Sequence, residues 1–230
     1  MHCTAAGFAA FCALRAVSAR FTSGRIMKHF VLSALILLLP MGCGLPGGGE
    51  PATMSTSSPV LPVMRWDDQR PPDQARNWTY ASLAALQTHG AGLAAIVPAD
   101  IETYCPGYPT ASPADRRAFW AGLFSALAKH ESTWNPGAVG GGGQWFGLVQ
   151  ISPATARGYG CSAQTAEALK DGAANLSCAI RIAARTVMRD GVVSAGGRGI
   201  AADWGPFHNA AKRAEMARWT GAQAYCRNRE

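Results

Sequence analysis

The sequence predicts a mainly helical domain with glycine-rich loops, held together by two disulfides. Apolar residues recur at helical spacing in several segments, and helix start and stop signals bracket those segments. No stretch alternates convincingly between apolar and polar residues, although the glycine-rich segment 140–143 allows one short hairpin. Four cysteines follow residue 100, an even number that suits disulfides in an exported domain.

Residues 1–42 are interpreted as a signal segment that is not part of this domain. Lys28 precedes the apolar run 30–39, which is too short to span a bilayer but suits the hydrophobic region of a signal peptide. Met27 is a natural start for that signal, so residues 1–26 have the character of a mis-assigned upstream extension.

The segment Leu39-Pro40-Met41-Gly42-Cys43 resembles a bacterial lipobox, in which the cysteine is lipidated and becomes the mature N-terminus. Pro40 departs from the usual leucine at its position. Lipidation of Cys43 is therefore expected, with an ordinary secretory signal cleaved nearby as the alternative. Either route takes the chain out of the cytoplasm.

The next two regions lead into the main domain. Residues 43–75 are rich in Gly, Pro, Ser and Thr and are predicted to form a flexible tether. Residues 76–99 carry leucines at helical spacing, with a break near Gly90, and are predicted to form a helical extension that packs on the domain. The domain itself is assigned to residues 100–230, a usual size for one domain.

The net charge of +7 is misleading until the signal segment is removed. Four of the 21 basic residues and none of the 14 acidic residues precede Cys43, so the rest of the chain carries +3. This mild excess suits an anionic polymer but decides nothing by itself. Nucleic-acid binding is not expected, because the chain has no basic run or motif for it.

The first helix of the domain has a clear start signal. Ser112 supplies an N-cap, Pro113 the first helical position and Asp115 an acid in the first turn. An apolar side then follows along the helix, with Gly122 and Lys129 opposite it. The apolar side is formed by Phe119, Trp120, Leu123, Phe124 and Leu127.

Glu131 closes this helix, and no other acidic residue occurs before Glu167. On a helical wheel its side chain projects between Trp120 and Phe124, so we expect it at the edge of a core rather than in open water. Burial disfavours the charged carboxylate and raises the pKa toward the range in which a general acid is protonated near neutrality. Glu131 is therefore a candidate catalytic acid, with a solvated carboxyl at a fraying helix end as the alternative.

Three more helices are predicted from similar signals. Ser152-Pro153 repeats the start signature, and a longer helix is expected over residues 175–189, with Asp190-Gly191 as its stop. A final helix is expected over residues 212–219.

The four domain cysteines allow three pairings. We favour Cys161 with Cys178, which clips the loop between two helices, and Cys105 with Cys226, which ties the domain ends together.

Two short motifs carry a resemblance to a known family. Glu131-Ser132 and, beyond a run of four glycines, Gly147-Leu148-Val149-Gln150 resemble the catalytic domain of soluble lytic transglycosylases, within the lysozyme-like superfamily. Val149 stands where methionine is commoner, and Asn175-Leu176 resembles the family's Asn-Leu segment. The resemblance covers approximately residues 100–226.

The resemblance implies cleavage of peptidoglycan between N-acetylmuramic acid and N-acetylglucosamine. One glutamate, here Glu131, would protonate the glycosidic oxygen and then act as a base while the sugar's own 6-hydroxyl forms a 1,6-anhydro end. Residues 132–166 contain no acid, which favours this route over hydrolysis with a second carboxyl. The alternatives are a non-catalytic glycan-binding lipoprotein, or a hydrolytic muramidase on the same fold with a remote partner among Asp171, Asp190 and Asp203.

Several residues are expected to contact the glycan. Ser132 either orients the Glu131 carboxyl or bonds a backbone carbonyl at the helix end, and Gln150 suits an acetamido group. The expected substrate-binding set is Ser132, Gly147, Gln150, Tyr159, Asn175 and Trp204. Further rings that suit stacking on a sugar are Trp145, Phe146 and Phe207.

Trp204 occupies the place where the family often has an Ala-Tyr-Asn segment, and that motif is absent. His130 is interpreted as a packed core residue. We expect no metal and no cofactor, because the chemistry needs only a proton carrier. The expected partners are peptidoglycan strands and, through a lipid anchor, the outer membrane, which places the protein in the periplasm.

Overall fold

Two long helices dominate a computed structural model of the protein, which describes residues 60–228. The α-helices in this range are α1 (Pro72–Gln87), α2 (Ala91–Ala95), α3 (Pro113–Ser132), α4 (Pro153–Gly158), α5 (Ala166–Leu169), α6 (Gly172–Asp190) and α7 (Ala210–Gly221). Short 3-10 turns and one hairpin connect them. α1 packs against α6 and α3, and α7 packs against α3. The prediction of a mainly helical domain is confirmed.

The central helix α3 begins as its sequence predicts. The Ser112 hydroxyl accepts a hydrogen bond from the Asp115 backbone N–H at 3.2 Å, and Pro113 occupies the first turn. The side of α3 opposite the apolar residues is not open to solvent along this stretch, however, because every residue from Ala118 to Ala128 is buried. A Cβ on Gly122 would lie 2.2 Å from the Tyr225 hydroxyl oxygen, so the missing side chain makes room for the C-terminal segment.

α6 starts three residues earlier than predicted and stops where predicted. The Asp171 carboxylate caps its N-terminus by accepting from the Ala174 N–H at 2.8 Å. Gly191 ends the helix in the left-handed conformation, with φ of 69°, and donates its N–H to the Val187 carbonyl at 2.8 Å. Asn175 therefore lies inside the first turn instead of opening the helix.

The predicted tether ends earlier than residue 75. Met64 and Trp66 are buried, and the Trp66 indole donates to the Thr79 hydroxyl at 3.1 Å. Its ring also meets that of Trp78 edge to face, with the centroids 5.7 Å apart. The segment from Met64 onward is thus part of the core. Burial of two large tryptophan rings stabilises it there, although the surrounding composition is Pro-rich.

The glycine-rich segment forms the short hairpin that the sequence allows. Strands β1 (Val139–Gly140) and β2 (Trp145–Phe146) pair antiparallel, with Val139 opposite Phe146. Gly141, Gly142 and Gly143 all have positive φ, which glycine adopts without steric cost.

Both favoured disulfides are present. Cys105 is bonded to Cys226 and Cys161 to Cys178, with sequence separations of 121 and 17. The first closes the segment that contains α3, and the second joins the region after α4 to α6.

No helix within residues 60–228 is long and apolar enough to cross a bilayer. In the same range, no group of three or more His, Cys, Asp or Glu side chains is arranged to hold a metal ion. The signal segment, Cys43 and the beginning of the tether lie outside the described residues.

Candidate active site

Glu131 lies in the last turn of α3 and is half-buried. Burial raises the pKa of its carboxyl to about 7, and the positive charge of Lys212 opposes this rise. Among the described residues, no side chain or backbone group forms a hydrogen bond or ion pair with the carboxyl. A substantial fraction of Glu131 is therefore protonated at neutral pH, and its proton is not committed to another group of the protein.

The chain leaves Glu131 through two strained residues. Thr133 and Trp134 both adopt the left-handed conformation, with φ of 52° and 56°, although neither is glycine. The Trp134 N–H donates to the Ala128 carbonyl and its indole N–H donates to the Ser125 carbonyl at 2.9 Å. Trp134 thereby folds back on α3 and ends the helix one turn after the buried core. Such backbone strain is common where a protein fixes a functional group.

Ser132 connects the end of α3 to the second motif. Its hydroxyl donates to the Leu148 carbonyl, with 2.8 Å between the oxygens, and a second contact of 3.2 Å joins it to the Ala128 carbonyl. Of the two expected roles, the structure shows the bond to backbone. Ser132 therefore positions the loop beside Glu131 instead of orienting the Glu131 carboxyl directly.

Asn175 of α6 bonds the backbone of the same loop. Its side chain is fully buried, and its Oδ1 accepts from the Val149 N–H at 3.0 Å. Its Nδ2 donates to the carbonyls of Phe146 and Leu169, both at 3.0 Å. Asn175 was expected to contact glycan, but in the structure its side chain is buried and both of its polar atoms bond the protein backbone.

Gly147 is required by space and by conformation. Its φ is +83°, and a Cβ would lie 2.1 Å from the Leu169 carbonyl oxygen and 2.4 Å from Asn175 Nδ2. The residue therefore permits the close approach of loop and α6, which is the physical reason for a glycine in this motif.

Trp204 is buried and its indole bonds the loop that contains Val149. Only 3% of the residue is exposed, its indole donates to the Val149 carbonyl at 2.8 Å, and its ring meets Phe124 of α3 edge to face at 5.8 Å. Stacking of Trp204 on a sugar is therefore excluded in this conformation. Phe207 is also buried, with 1% exposure, and the same correction applies to it.

Gln150 faces the loop with its amide nitrogen. Nε2 donates to the carbonyls of Gly147 and Ala138 at 2.9 and 3.3 Å, and the backbone φ is 50°. The Oε1 atom makes no hydrogen bond within the described residues. Only this acceptor remains for a substrate N–H, which narrows the expected acetamido contact to one bond.

The candidate rings differ in their exposure. Trp145 at the start of β2 is 47% exposed, which leaves its face open to a ligand. Tyr159 is half-buried, its hydroxyl lies 3.5 Å from Asp203 Oδ2, and the Arg185 guanidinium lies over its ring at 5.8 Å. Within the described part of the chain no hydrogen bond, ion pair or ring contact joins Tyr159 to Glu131 or its loop, so Trp145 is the stronger candidate for a sugar contact.

The three aspartates considered as remote partners have other contacts. Asp171 caps α6, and Asp190 accepts from Arg189 and from the Gly199 N–H at 2.7 Å. Asp203 contacts Tyr159, and burial raises its pKa. Among the described residues, the one charge that affects the pKa of Glu131 is that of Lys212, and no carboxylate contributes to the shift.

A cluster behind Glu131 has no counterpart in the sequence analysis. Glu215 of α7 binds Arg65 through both carboxylate oxygens, Lys129 at 2.9 Å and His130 Nε2 at 2.8 Å. The His130 imidazole thus bonds the Glu215 carboxylate and is not simply a packed core residue. No sequence signal identifies this cluster, because 150 residues separate Arg65 from Glu215.

A cavity of about 710 Å³ does not include Glu131. It lies between the segment 60–63, α1 and Tyr225, and its lining is mostly apolar. None of the residues that line it has a buried, unpaired carboxyl. We therefore assign the candidate site to Glu131 from the properties of its carboxyl and not from the size of a cavity.

Comparison with known proteins gives a family match over the region that contains Glu131. Residues 109–191 match the family model of the transglycosylase SLT domain. Three solved structures of DslA, a lysozyme-like protein of Bdellovibrio, are also similar, each with a TM-score of 0.64. No curated protein sequence matches significantly.

The DslA structures comprise the wild type and two mutants in which a glutamate is replaced by glutamine. One mutant shares 29% identity and covers 73% of this chain and 98% of its own. The wild type shares 28% identity over 72% and 98%, and the other mutant 27% over 73% and 100%. The lysozyme-like character expected of the helical fold is confirmed.

Proposed function

We infer that this chain, which contains a transglycosylase SLT domain, cleaves the β-1,4 bond between N-acetylmuramic acid and N-acetylglucosamine in peptidoglycan. The family is generally catalytic on peptidoglycan. The observation that carries the inference is the unpaired, half-buried carboxyl of Glu131 inside the matched region, with a pKa raised to about 7. No other described carboxyl combines these properties.

The first step is proton transfer from the Glu131 carboxyl to the glycosidic oxygen. The bond from that oxygen to the anomeric carbon breaks, and N-acetylglucosamine leaves as an alcohol. The anomeric carbon gains positive character, which the newly formed Glu131 carboxylate stabilises. A carboxyl whose pKa lies near the working pH suits this role, because it is protonated at the start and weak enough as a base to lose its proton.

In the second step Glu131 accepts a proton. The 6-hydroxyl of the same N-acetylmuramic acid attacks the anomeric carbon, and its proton passes to the carboxylate. A 1,6-anhydro ring forms, Glu131 returns to its protonated state, and no water is consumed. One residue suffices for both transfers, which fits a sequence that contains no acid in residues 132–166.

Hydrolysis on the same fold is the second candidate. The likeness to the lysozyme-like DslA favours it, because water instead of the 6-hydroxyl would then attack the anomeric carbon. Asp203 is the acid we would examine first in that case, since burial raises its pKa and it has neither a helix-capping role nor an ion pair.

We also propose that the protein works outside the cytoplasm, in the periplasm, anchored to the outer membrane through a lipid on Cys43. Two disulfides in the domain support an oxidising compartment. Globomycin sensitivity of processing, followed by mass spectrometry of the mature N-terminus, tests the anchor. An unmodified mature N-terminus would contradict it.

The product identity tests the function. Purified peptidoglycan is digested with the oxidised protein, and the muropeptides are identified by mass spectrometry. Glu131→Gln is compared with Glu102→Gln, a matched change at an exposed glutamate without side-chain hydrogen bonds. We expect anhydro-muropeptides from the parent and Glu102→Gln, and none from Glu131→Gln. Reducing ends would support the muramidase, and no product from any protein would leave only glycan binding.

A further inference from the structure

We propose that Lys212 is a positioning residue of the cleavage reaction, held beside Glu131 by α7 so that its ammonium stabilises the carboxylate formed between the two proton transfers. The proposal rests on the proposed function. It concerns a residue outside the region that matches the SLT family model, which ends at residue 191.

The backbone of Lys212 is fixed in the first turn of α7. Asn209 caps the helix by accepting from the Lys212 N–H at 3.0 Å. The next residue, Arg213, donates from its guanidinium to the Phe207 carbonyl at 2.6 Å. Two hydrogen bonds therefore join the first turn of α7 to the turn that precedes it, and they fix the backbone position of Lys212.

Glu215 ties the same helix to the end of α3. It lies three residues after Lys212, and residues at this spacing are neighbours on a helix surface. Its carboxylate binds Lys129 and His130, the two residues that precede Glu131. Arg65 completes the cluster from the N-terminal side. The cluster thereby brings the turn of α7 that carries Lys212 next to the turn of α3 that carries Glu131.

The charges near Glu131 are used in different ways. Lys129 and His130 are paired with Glu215, and Arg70 donates to the Thr133 carbonyl at 2.8 Å. Lys212 is exposed, and among the described residues its ammonium has no hydrogen bond and no ion pair. It is also the one charge that lowers the pKa of Glu131. The geometry thus leaves one free cation for the carboxylate.

Lys212 and Glu131 form no ion pair within the described residues, and the proposed reaction requires this. A direct ion pair would hold Glu131 as a carboxylate and remove the acid needed in the first step. A nearby solvated ammonium lowers the energy of the carboxylate without binding it. Removing the ammonium should raise the pKa of Glu131 above its present value, make it a poorer acid and shift the pH profile of cleavage upward.

The test compares Lys212→Met with Lys212→Arg and Arg218→Met. Arg218 is an exposed cation of the same helix without side-chain hydrogen bonds, so its replacement removes the same charge elsewhere. The Glu131 carboxyl is titrated by ¹³C NMR, assigned with Glu131→Gln. In parallel, kcat and KM are measured against pH on soluble glycan strands.

For Lys212→Met we expect an upward shift of the Glu131 titration and a kcat lowered roughly 3- to 10-fold near neutral pH, well short of the loss on removing the acid itself. Lys212→Arg should restore both, and Arg218→Met should change neither. An unchanged titration, an equal shift in Arg218→Met, or a raised KM with unchanged kcat would overturn the proposal. The titration needs no substrate, so it is informative even if the parent cleaves nothing and the proposed function fails.

Discussion

Glu131 lies on α3 and Glu215 on α7, two helices that pack against each other, and the two carboxyls have opposite surroundings. Within residues 60–228 Glu131 has no hydrogen-bond or ion-pair partner, and burial raises its pKa to about 7. Glu215 is bound by Arg65, Lys129 and His130, and these contacts, that of Arg65 first, hold its pKa well below the usual range. The chemical role of a carboxyl is thus set by its partners. One is kept available for proton transfer, and the other is fixed as a structural anion.

The largest effect should come from removing the free carboxyl. Glu131→Gln keeps the shape of the side chain but has no proton to donate, so we expect cleavage to fall roughly 100- to 10,000-fold. Digestion of soluble glycan strands under initial-rate conditions measures this. The Glu131–Glu215 comparison would break if Glu215→Gln abolished cleavage equally while remaining folded.

The next effect concerns stability. Glu215→Gln leaves Arg65 and Lys129 without their anion and His130 without its carboxylate partner in a partly buried site, and we expect the free energy of unfolding to fall by about 2 to 3 kcal/mol. Urea denaturation at neutral pH, followed by circular dichroism with both disulfides intact, measures the change. Glu131→Gln serves as the control, because it breaks no hydrogen bond of the described protein. A destabilisation of Glu131→Gln as large as that of Glu215→Gln would contradict the contrast.

The two carboxyls should also respond to pH with opposite signs. Between about pH 4.5 and 7 the folded chain keeps the Glu131 proton that the unfolded chain releases, so stability falls as pH rises through this window. Glu131→Gln should lack that fall and gain about 1 to 2 kcal/mol over the parent at pH 8, relative to pH 4.5. Glu215 contributes stability above its unfolded pKa, and this is lost as the solution becomes acidic. Urea midpoints across pH 3 to 9 for the parent and both variants check the signs.

The smallest effect distinguishes the members of the cluster. The Lys129 side chain is 38% exposed, whereas that of Arg65 is 14% exposed and binds through two nitrogens. Lys129→Met should therefore cost about 0.5 kcal/mol, and Arg65→Met clearly more. A double-mutant cycle with Glu215→Gln isolates each pair. Equal coupling energies for Arg65–Glu215 and Lys129–Glu215 would show that the strength of these ion pairs does not depend on solvent exposure.

Local signals in the sequence predicted much of the fold. Ser112-Pro113 and the Gly191 stop mark helix ends at the residues where the structure has them, because capping depends on groups within one turn. The burial of Glu131 at a helix end was similarly accessible from helical periodicity. Trp66 was missed because a single aromatic in a Pro-rich stretch has no period, and its partner Trp78 lies in the next helix.

The candidate site was predicted less completely than the fold. The sequence singles out the motif residues Gly147, Gln150 and Asn175 as glycan contacts, and the structure shows that Gly147 and Asn175 support the loop by close packing and backbone hydrogen bonds. Sequence alone does not say whether an amide faces a ligand or a carbonyl of its own chain. The Glu215 cluster was out of reach because its members are distant in sequence and each is an ordinary surface residue type.

The bond between Cys105 and Cys226 has a consequence for how the protein tolerates damage. The exposed glycines 141–143 offer a proteolytic site between Glu131 and the loop of Gly147. A cut there would separate the chain into two fragments, yet the disulfide joins one to the other across 121 residues. A nicked molecule would therefore run as one species on a gel until a reductant is added, with Glu131 and the loop of Gly147 still in the same particle.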